Sequence, residues 1–333
     1  MSKILITGDW HVKKGITTNI ILNYLDYLLT YCIDNEIKDM FILGDIFDKS
    51  SSIKNEAFVP LFMKLYQIKN SGIKLTFILG NHDIYNVNND SIVETFMTIG
   101  TVIKEGIEDK FNNYFFLPYT KKEELIPYNK FNGILFTHLP IADFSFDNSY
   151  HATEKHAFGK AFFSDFDLVF TGHFHRHQVQ GNIIYPGSPI QLNFGETGQK
   201  KGFIVLDTSG NKSWEFIEYN KAPTYIKIDI NDFQDFDPTN KFVSVIIDKK
   251  IENFIKLRKI LLDKGAIEVR PEFKKNDNDD IVLDNTSFLE NSSIKDMTKE
   301  YISKVKLDNI DTSKLLSIFE NIKKELGEWY LNT

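Results

Sequence analysis

Short runs of β-branched and aromatic residues recur along the chain, and five of them stop at side chains that bind metals. They are ILITGDWH (Asp9, His11), MFILGDIFD (Asp45, Asp48), LTFILGNHD (Asn81, His82, Asp83), ILFTHLP (His138) and LVFTGHFH (His173, His175). Apolar runs closed by Gly or polar residues predict buried strands. Between the early runs the apolar period changes to that of a helix. One such stretch lies near 18–35, where Ile21, Leu25, Leu28 and Leu29 share a face. A second, near 55–70, is closed by Asn70-Ser71-Gly72, and a third lies near 91–98. Strand and helix therefore alternate to about residue 100, after which strand patterns dominate to about 220. A parallel-type half followed by a strand-rich half predicts an α/β fold of two packed mixed β-sheets flanked by helices.

A second pattern begins at Ala222-Pro223. YIKIDI, FVSVIID, a helix near 251–264 and AIEVRPEF read as a small α/β module. The stretch KKNDNDDIVLDNTSFLENSS is polar and reads as a linker. Two helical patterns follow, and in the second Leu315, Phe319, Ile322, Leu326 and Trp329 form a continuous apolar seam. The expected division is a main domain at 1–221, a module at 222–273, a linker at 274–293 and a helical tail at 294–333.

Composition narrows the class. With 42% hydrophobic residues and 29 Phe among 333, the chain can fill a core without disulfides. Its one cysteine, Cys32, sits in a helical pattern and is expected to be buried, in a reducing compartment. The first strand begins at Lys3 and no stretch has the apolar length of a membrane span, so a cytoplasmic protein without a membrane partner is expected. The net charge of −7 argues against a broad, passive nucleic-acid binder, though not against a nuclease whose bound cations meet the phosphate. Lys13, Lys14, Lys49 and Lys54 follow the motifs and are candidate DNA contacts, as are Lys200 and Lys201. Ordinary solvated surface is the alternative for each.

In open α/β sheets, functional groups gather beyond the carboxyl ends of the strands. The motif residues, distant in sequence, are thereby expected at one edge, and five of the 8 histidines fall among them. Carboxylate, amide oxygen and imidazole without thiolate suit manganese, magnesium, iron or zinc. Asp45, directly after a glycine at a strand end, is the natural bridge between two ions. Asp9 and Asp45 together offset only half the charge of two divalent cations, so the centre stays attractive to a phosphodiester.

The order D-x-H, G-D-x-x-D, G-N-H-D, a lone His and G-H-x-H resembles the calcineurin-like metallophosphoesterase superfamily. TGDWH, LGDIFD, LGNHD and YPGSPIQLNFGE are similar to its SbcD branch, the nuclease subunits of SbcC–SbcD recombination and repair complexes and their phage counterparts. The resemblance covers residues 3–206 strongly and the module and tail only by order and size. It implies one metal held by Asp9, His11, Asp45 and His175, and another by Asp45, Asn81, His138 and His173. The ions would be manganese, with magnesium the alternative, and would supply the attacking hydroxide. His82 matches the catalytic histidine, and Asp48 is expected to orient it through its carboxylate. Asp83 is expected to hold the loop rather than a metal.

The same resemblance implies 3′→5′ exonuclease action on duplex DNA and endonuclease action on single strands. It also implies a module that caps the DNA groove, with Lys227, Lys241 and Arg270 as candidate phosphate contacts. The tail would grip an SbcC-like SMC-family ATPase, and homodimerisation stays open. A phosphatase or cyclic-nucleotide phosphodiesterase shares the metal motifs but needs neither module nor tail. A catalytically dead scaffold would not keep every ligand.

Overall fold

A computed structural model describes residues 3–273 apart from 50–52, 87–89, 128–129, 146–151, 154–155, 211, 234 and 248–250. The expected linker and helical tail, 274–333, lie outside the described residues. In chain order the first half holds β1 (Lys3–Thr7), α1 (Ile16–Asp34), β2 (Asp39–Ile42), α2 (Asn55–Asn70), β3 (Lys74–Ile78) and β4 (Thr101–Ile103). Next come β5 (Ile107–Asp109), β6 (Tyr114–Leu117), β7 (Ile134–His138), β8 (Leu168–Gly172), β9 (Gln178–Gln180) and β10 (Ile183–Tyr185). The remainder is β11 (Gly202–Asp207), β12 (Ser213–Glu218), β13 (Thr224–Asp229), β14 (Lys241–Ile247), α3 (Ile251–Asp263) and β15 (Glu268–Phe273).

Two six-stranded mixed sheets form, ordered β12-β11-β1-β2-β3-β4 and β5-β6-β7-β8-β10-β9. Strands β1 to β4 pair in parallel, as do β6, β7 and β8. The two-residue period of each strand sorts its side chains between two layers. Ile4, Ile6, Phe41, Leu43 and Ile78 of the first sheet meet Phe116, Ile134, Phe136, Phe170 and Ile184 of the second in an apolar layer between the sheets. The alternate residues Leu5, Met40, Ile42, Leu75 and Phe77 face a separate layer with Ile21, Leu25, Leu28, Leu61 and Leu65 of α1 and α2. Cys32 is fully buried there.

The segment expected as a helix near 91–98 is a 3-10 helix, Ile92–Thr98, entered through a capping box formed by Ser91 and Glu94. The module is a three-stranded parallel sheet, β13-β14-β15, with α3 packed on it through Phe254, Leu257 and Leu261. It meets the rest of the chain on the loop that follows β10. There the Tyr225 N–H donates to Gln191 Oε1 at 2.7 Å, and Phe194 contacts both the Tyr225 ring and the Arg270 guanidinium. Arg270, expected as a phosphate contact, thus stacks on Phe194 at 3.8 Å from the ring centre. No described helix is long and apolar enough to cross a membrane.

Candidate metal centre

Five parallel strands from two sheets end at one edge, and each delivers its motif there. Asp9 and His11 follow β1, Asp45 follows β2, Asn81 follows β3, His138 closes β7, and His173 and His175 follow β8. The backbone must turn sharply to aim these groups inward. Asp9, His11, Asp45 and His173 take φ values of 52°, 45°, 51° and 98°, a region non-glycine residues rarely occupy. Such conformations cost about 1–3 kcal/mol each and persist where the surroundings over-determine them. Gly80 admits the closest approach, because a Cβ there would collide with Asp45 Oδ1.

The donor atoms fall into two outer groups, linked by a third in which Asp45 meets His11 and His82. In the first, His11 Nε2 lies 3.0 Å from His175 Nε2, and Asp9 closes the cluster. In the second, Asn81 Oδ1 lies 2.8 Å from His173 Nδ1 and 3.1 Å from His138 Nε2. Asp45 Oδ2 lies between them, 3.5 Å from His11 Nε2 and 3.4 Å from His138 Nε2. Its Oδ1 is already used, accepting the His82 N–H at 2.9 Å. The seven residues expected as ligands are therefore brought together at one edge, with His82 beside Asp45 and His11.

Two rings are turned by a bond from Nδ1 to a main-chain carbonyl. A carbonyl can only accept, so His138 Nδ1 donates to Leu43 O at 2.6 Å and Nε2 faces the cluster. His82 Nδ1 donates to the Asp48 carbonyl at 2.6 Å. This corrects the expected role of Asp48: its main chain, not its carboxylate, orients His82. The Asp48 carboxylate faces His11 Nδ1 at 4.0 Å and Lys13 Nζ at 3.9 Å instead. Asp83 holds the loop: Oδ1 accepts the N–H groups of Ile46 and Phe47, and Oδ2 that of Gly80.

The electrostatics favour a bound cation. Asp9 and Asp45 are 1% and 2% exposed, and Asp9 Oδ2 has no hydrogen-bond partner among the described residues. An unsatisfied buried carboxylate oxygen is costly unless a cation meets it. Burial, helped by His175, pushes His11 down to about 3, and burial with His138 does the same to His173. Both rings thus keep the lone pairs that metal coordination needs. Burial opposes charge on His138, yet Asp45 and Asp9 outweigh it and raise that ring to about 9. The carboxylate pair calls for positive charge, which divalent ions would supply. The oxygen and nitrogen donor set, the orphaned oxygen and the un-ionised rings all fit two such ions.

Two participants escaped the sequence reading. Glu196 Oε1 accepts from His175 Nδ1 at 3.0 Å, and Lys201 Nζ lies 2.7 Å from Glu196 Oε2. The only signal was the YPGSPIQLNFGE wording, which carries no spacing rule for such a contact. Lys201 is 5% exposed, so it is no surface or DNA contact. Of the other lysines, Lys14 pairs with Glu56 at 2.8 Å, Lys13 is half-exposed, and Lys49 and Lys54 are exposed. Lys200 pairs with Glu218 and Lys227 with Glu272, while Lys241 lies 4.0 Å from Asp237. His177 stacks on Phe216 away from the donor groups, with ring centres 4.0 Å apart. A groove of about 890 Å³ opens from Asn81, bordered by Tyr85, Tyr119, Lys121, Lys122 and Lys130.

The chain is similar in sequence to known proteins of one family. The family model described as calcineurin-like phosphoesterase matches residues 2–177. The chain is 26% identical over 329 residues to exonuclease subunit 1 of Enterobacteria phage T4, covering 91% of this chain and 93% of that one. It is 26% identical over 380 aligned residues to the SbcD component of the nuclease SbcCD of Staphylococcus epidermidis, covering 92% and 96%. Among solved structures, a dimetal phosphatase from Danio rerio is similar at 10% identity and a TM-score of 0.39, covering 62% of this chain and 92% of that one.

Proposed function

Since the chain belongs to the calcineurin-like phosphoesterase family, we propose that it is a two-metal nuclease that hydrolyses DNA phosphodiesters. The observation that carries this reading is Asp45 Oδ2, set between two complete sets of oxygen and nitrogen donors. Asp9, His11, Asp45 and His175 would hold one ion, and Asp45, Asn81, His138 and His173 the other. Such ions, manganese with magnesium the alternative, lower the pKa of bound water and polarise a phosphoryl oxygen. Asp45 would offer its free oxygen to both ions, while Oδ1 fixes the loop carrying His82. His82 is exposed at the mouth, and its Nδ1 bond to Asp48 O leaves Nε2 for the substrate. From there it holds or gives a proton at the leaving oxygen.

DNA as substrate rests on the relatives, which are named as an exonuclease and as a component of the SbcCD nuclease. The groove beyond Asn81 suits one strand: Lys121, Lys122 and Lys130 meet phosphates, and the exposed Tyr85 offers a stacking face. Lys13, Lys49 and Lys54, exposed after the motifs, offer further phosphate contacts. The module at 222–273 caps the groove, and the tail at 294–333 grips an SbcC-like SMC-family ATPase. On linear duplexes the enzyme degrades 3′→5′; on single strands it cuts internally; both occur in the cytoplasm.

The test uses end-labelled linear duplex DNA and an aryl phosphodiester, each with manganese. The unaltered chain shortens the DNA from 3′ ends, and His82→Ala retains metal but loses cleavage about 10²–10⁴-fold. Hydrolysis of the aryl ester with intact DNA would instead assign a small-molecule phosphodiesterase.

A further inference from the structure

His175 is anchored at both its ring and its main chain by residues that have no donor atom in the cluster. Its Nε2 faces His11, so its Nδ1–H points outward, where Glu196 Oε1 accepts it at 3.0 Å. Glu196 is 3% exposed and accepts the Leu192 N–H through Oε2 at 3.0 Å. Lys201 contacts the same Oε2 at 2.7 Å and also reaches the His175 carbonyl at 2.7 Å, Ser188 Oγ at 2.9 Å and Gln199 Oε1 at 3.1 Å. His175 is thus held at its ring and at its main chain by one buried ion pair. The approach is close enough that a Cβ at Gly187 would sit 2.7 Å from the His175 carbonyl oxygen.

A buried ion pair is rarely kept for stability, since well-packed apolar residues of similar volume serve as well or better. A carboxylate behind a ligating imidazole does something apolar residues cannot: it fixes the tautomer and raises the basicity of the inward nitrogen. We propose that Glu196 and Lys201 are positioning residues for His175, and that they set the affinity of the ion held by Asp9, His11, Asp45 and His175. Glu196 supplies the acceptor and the charge. Lys201 holds that carboxylate in place through their ion pair while pinning the peptide that carries the ring. The inference rests on the two-metal reading above.

Manganese titration of the full chain, followed by the electron paramagnetic resonance of the free ion, tests it. The unaltered chain takes up two ions. Glu196→Gln, which keeps an acceptor but loses the charge, weakens one of them about 10-fold, and Glu196→Leu with Lys201→Met weakens it towards 100-fold. The double variant removes both partners and so leaves no uncompensated charge; its unfolding in a chelator reports whether the fold is kept. Glu196→Gln added to His175→Ala causes no further loss, whereas added to His173→Ala it causes its full loss. Two ions bound with unaltered affinity in both Glu196 variants would overturn the proposal, as would equal losses in the two histidine backgrounds. An unaltered chain that takes up no manganese would overturn the two-metal reading itself, and this one with it.

Discussion

Asp48 and Asp83 stand within the candidate metal-binding motifs, yet Asp48 acts through its own main chain and Asp83 on the main chain of its neighbours. The main-chain carbonyl of Asp48 holds His82, so Asp48→Asn leaves metal content unchanged and kcat within about twofold, the ordinary span of a surface change. A tenfold lower kcat in steady-state assays would restore the carboxylate to the mechanism. Asp83 accepts three buried N–H groups. Asp83→Ala strands them at about 1–3 kcal/mol each, so urea unfolding should reveal at least about 3 kcal/mol of lost stability. An unchanged midpoint would refute that. The residue types of both were legible in the sequence, and Asp83 was expected to hold the loop rather than a metal. The route by which Asp48 touches His82 was not, because local pattern does not distinguish a main-chain acceptor from a side-chain one.

Helices and strands were the more legible scale. The 55–70 helix has the bounds its apolar period predicts, and ILIT and MFIL form the expected buried strands; which alternate residues face α1 and α2 and which the second sheet is visible only in the structure. Loops were less readable. That following β10 carries Glu196 towards His175 and Phe194 towards the module, two long-range contacts with no periodic signature. Phe194 is 7% exposed and clasped by Tyr225 and Arg270. Phe194→Ala removes that clasp at a cost of about 3–5 kcal/mol. Hydrogen exchange should then quicken across β13, beginning with the Tyr225 amide that Gln191 accepts. Protection equal to that of the unaltered chain would mean the module is held elsewhere.

At the scale of the whole molecule, a chain of net charge −7 is proposed to act on a polyanion, so cations must bring the two together. The amino-terminal sheets supply the chemistry, and the tail is proposed to supply the partner. Removing residues 294–333 should therefore abolish co-purification with an SbcC-like ATPase while hydrolysis of an aryl phosphodiester persists. Retained association would place the partner surface elsewhere. The central claim concerns Asp45 and is tested most directly by anomalous scattering from crystals grown in excess manganese. It predicts two peaks about 3.5–4 Å apart with Asp45 Oδ2 between them. A single peak, or two ions with Asp45 turned away from one of them, would contradict it.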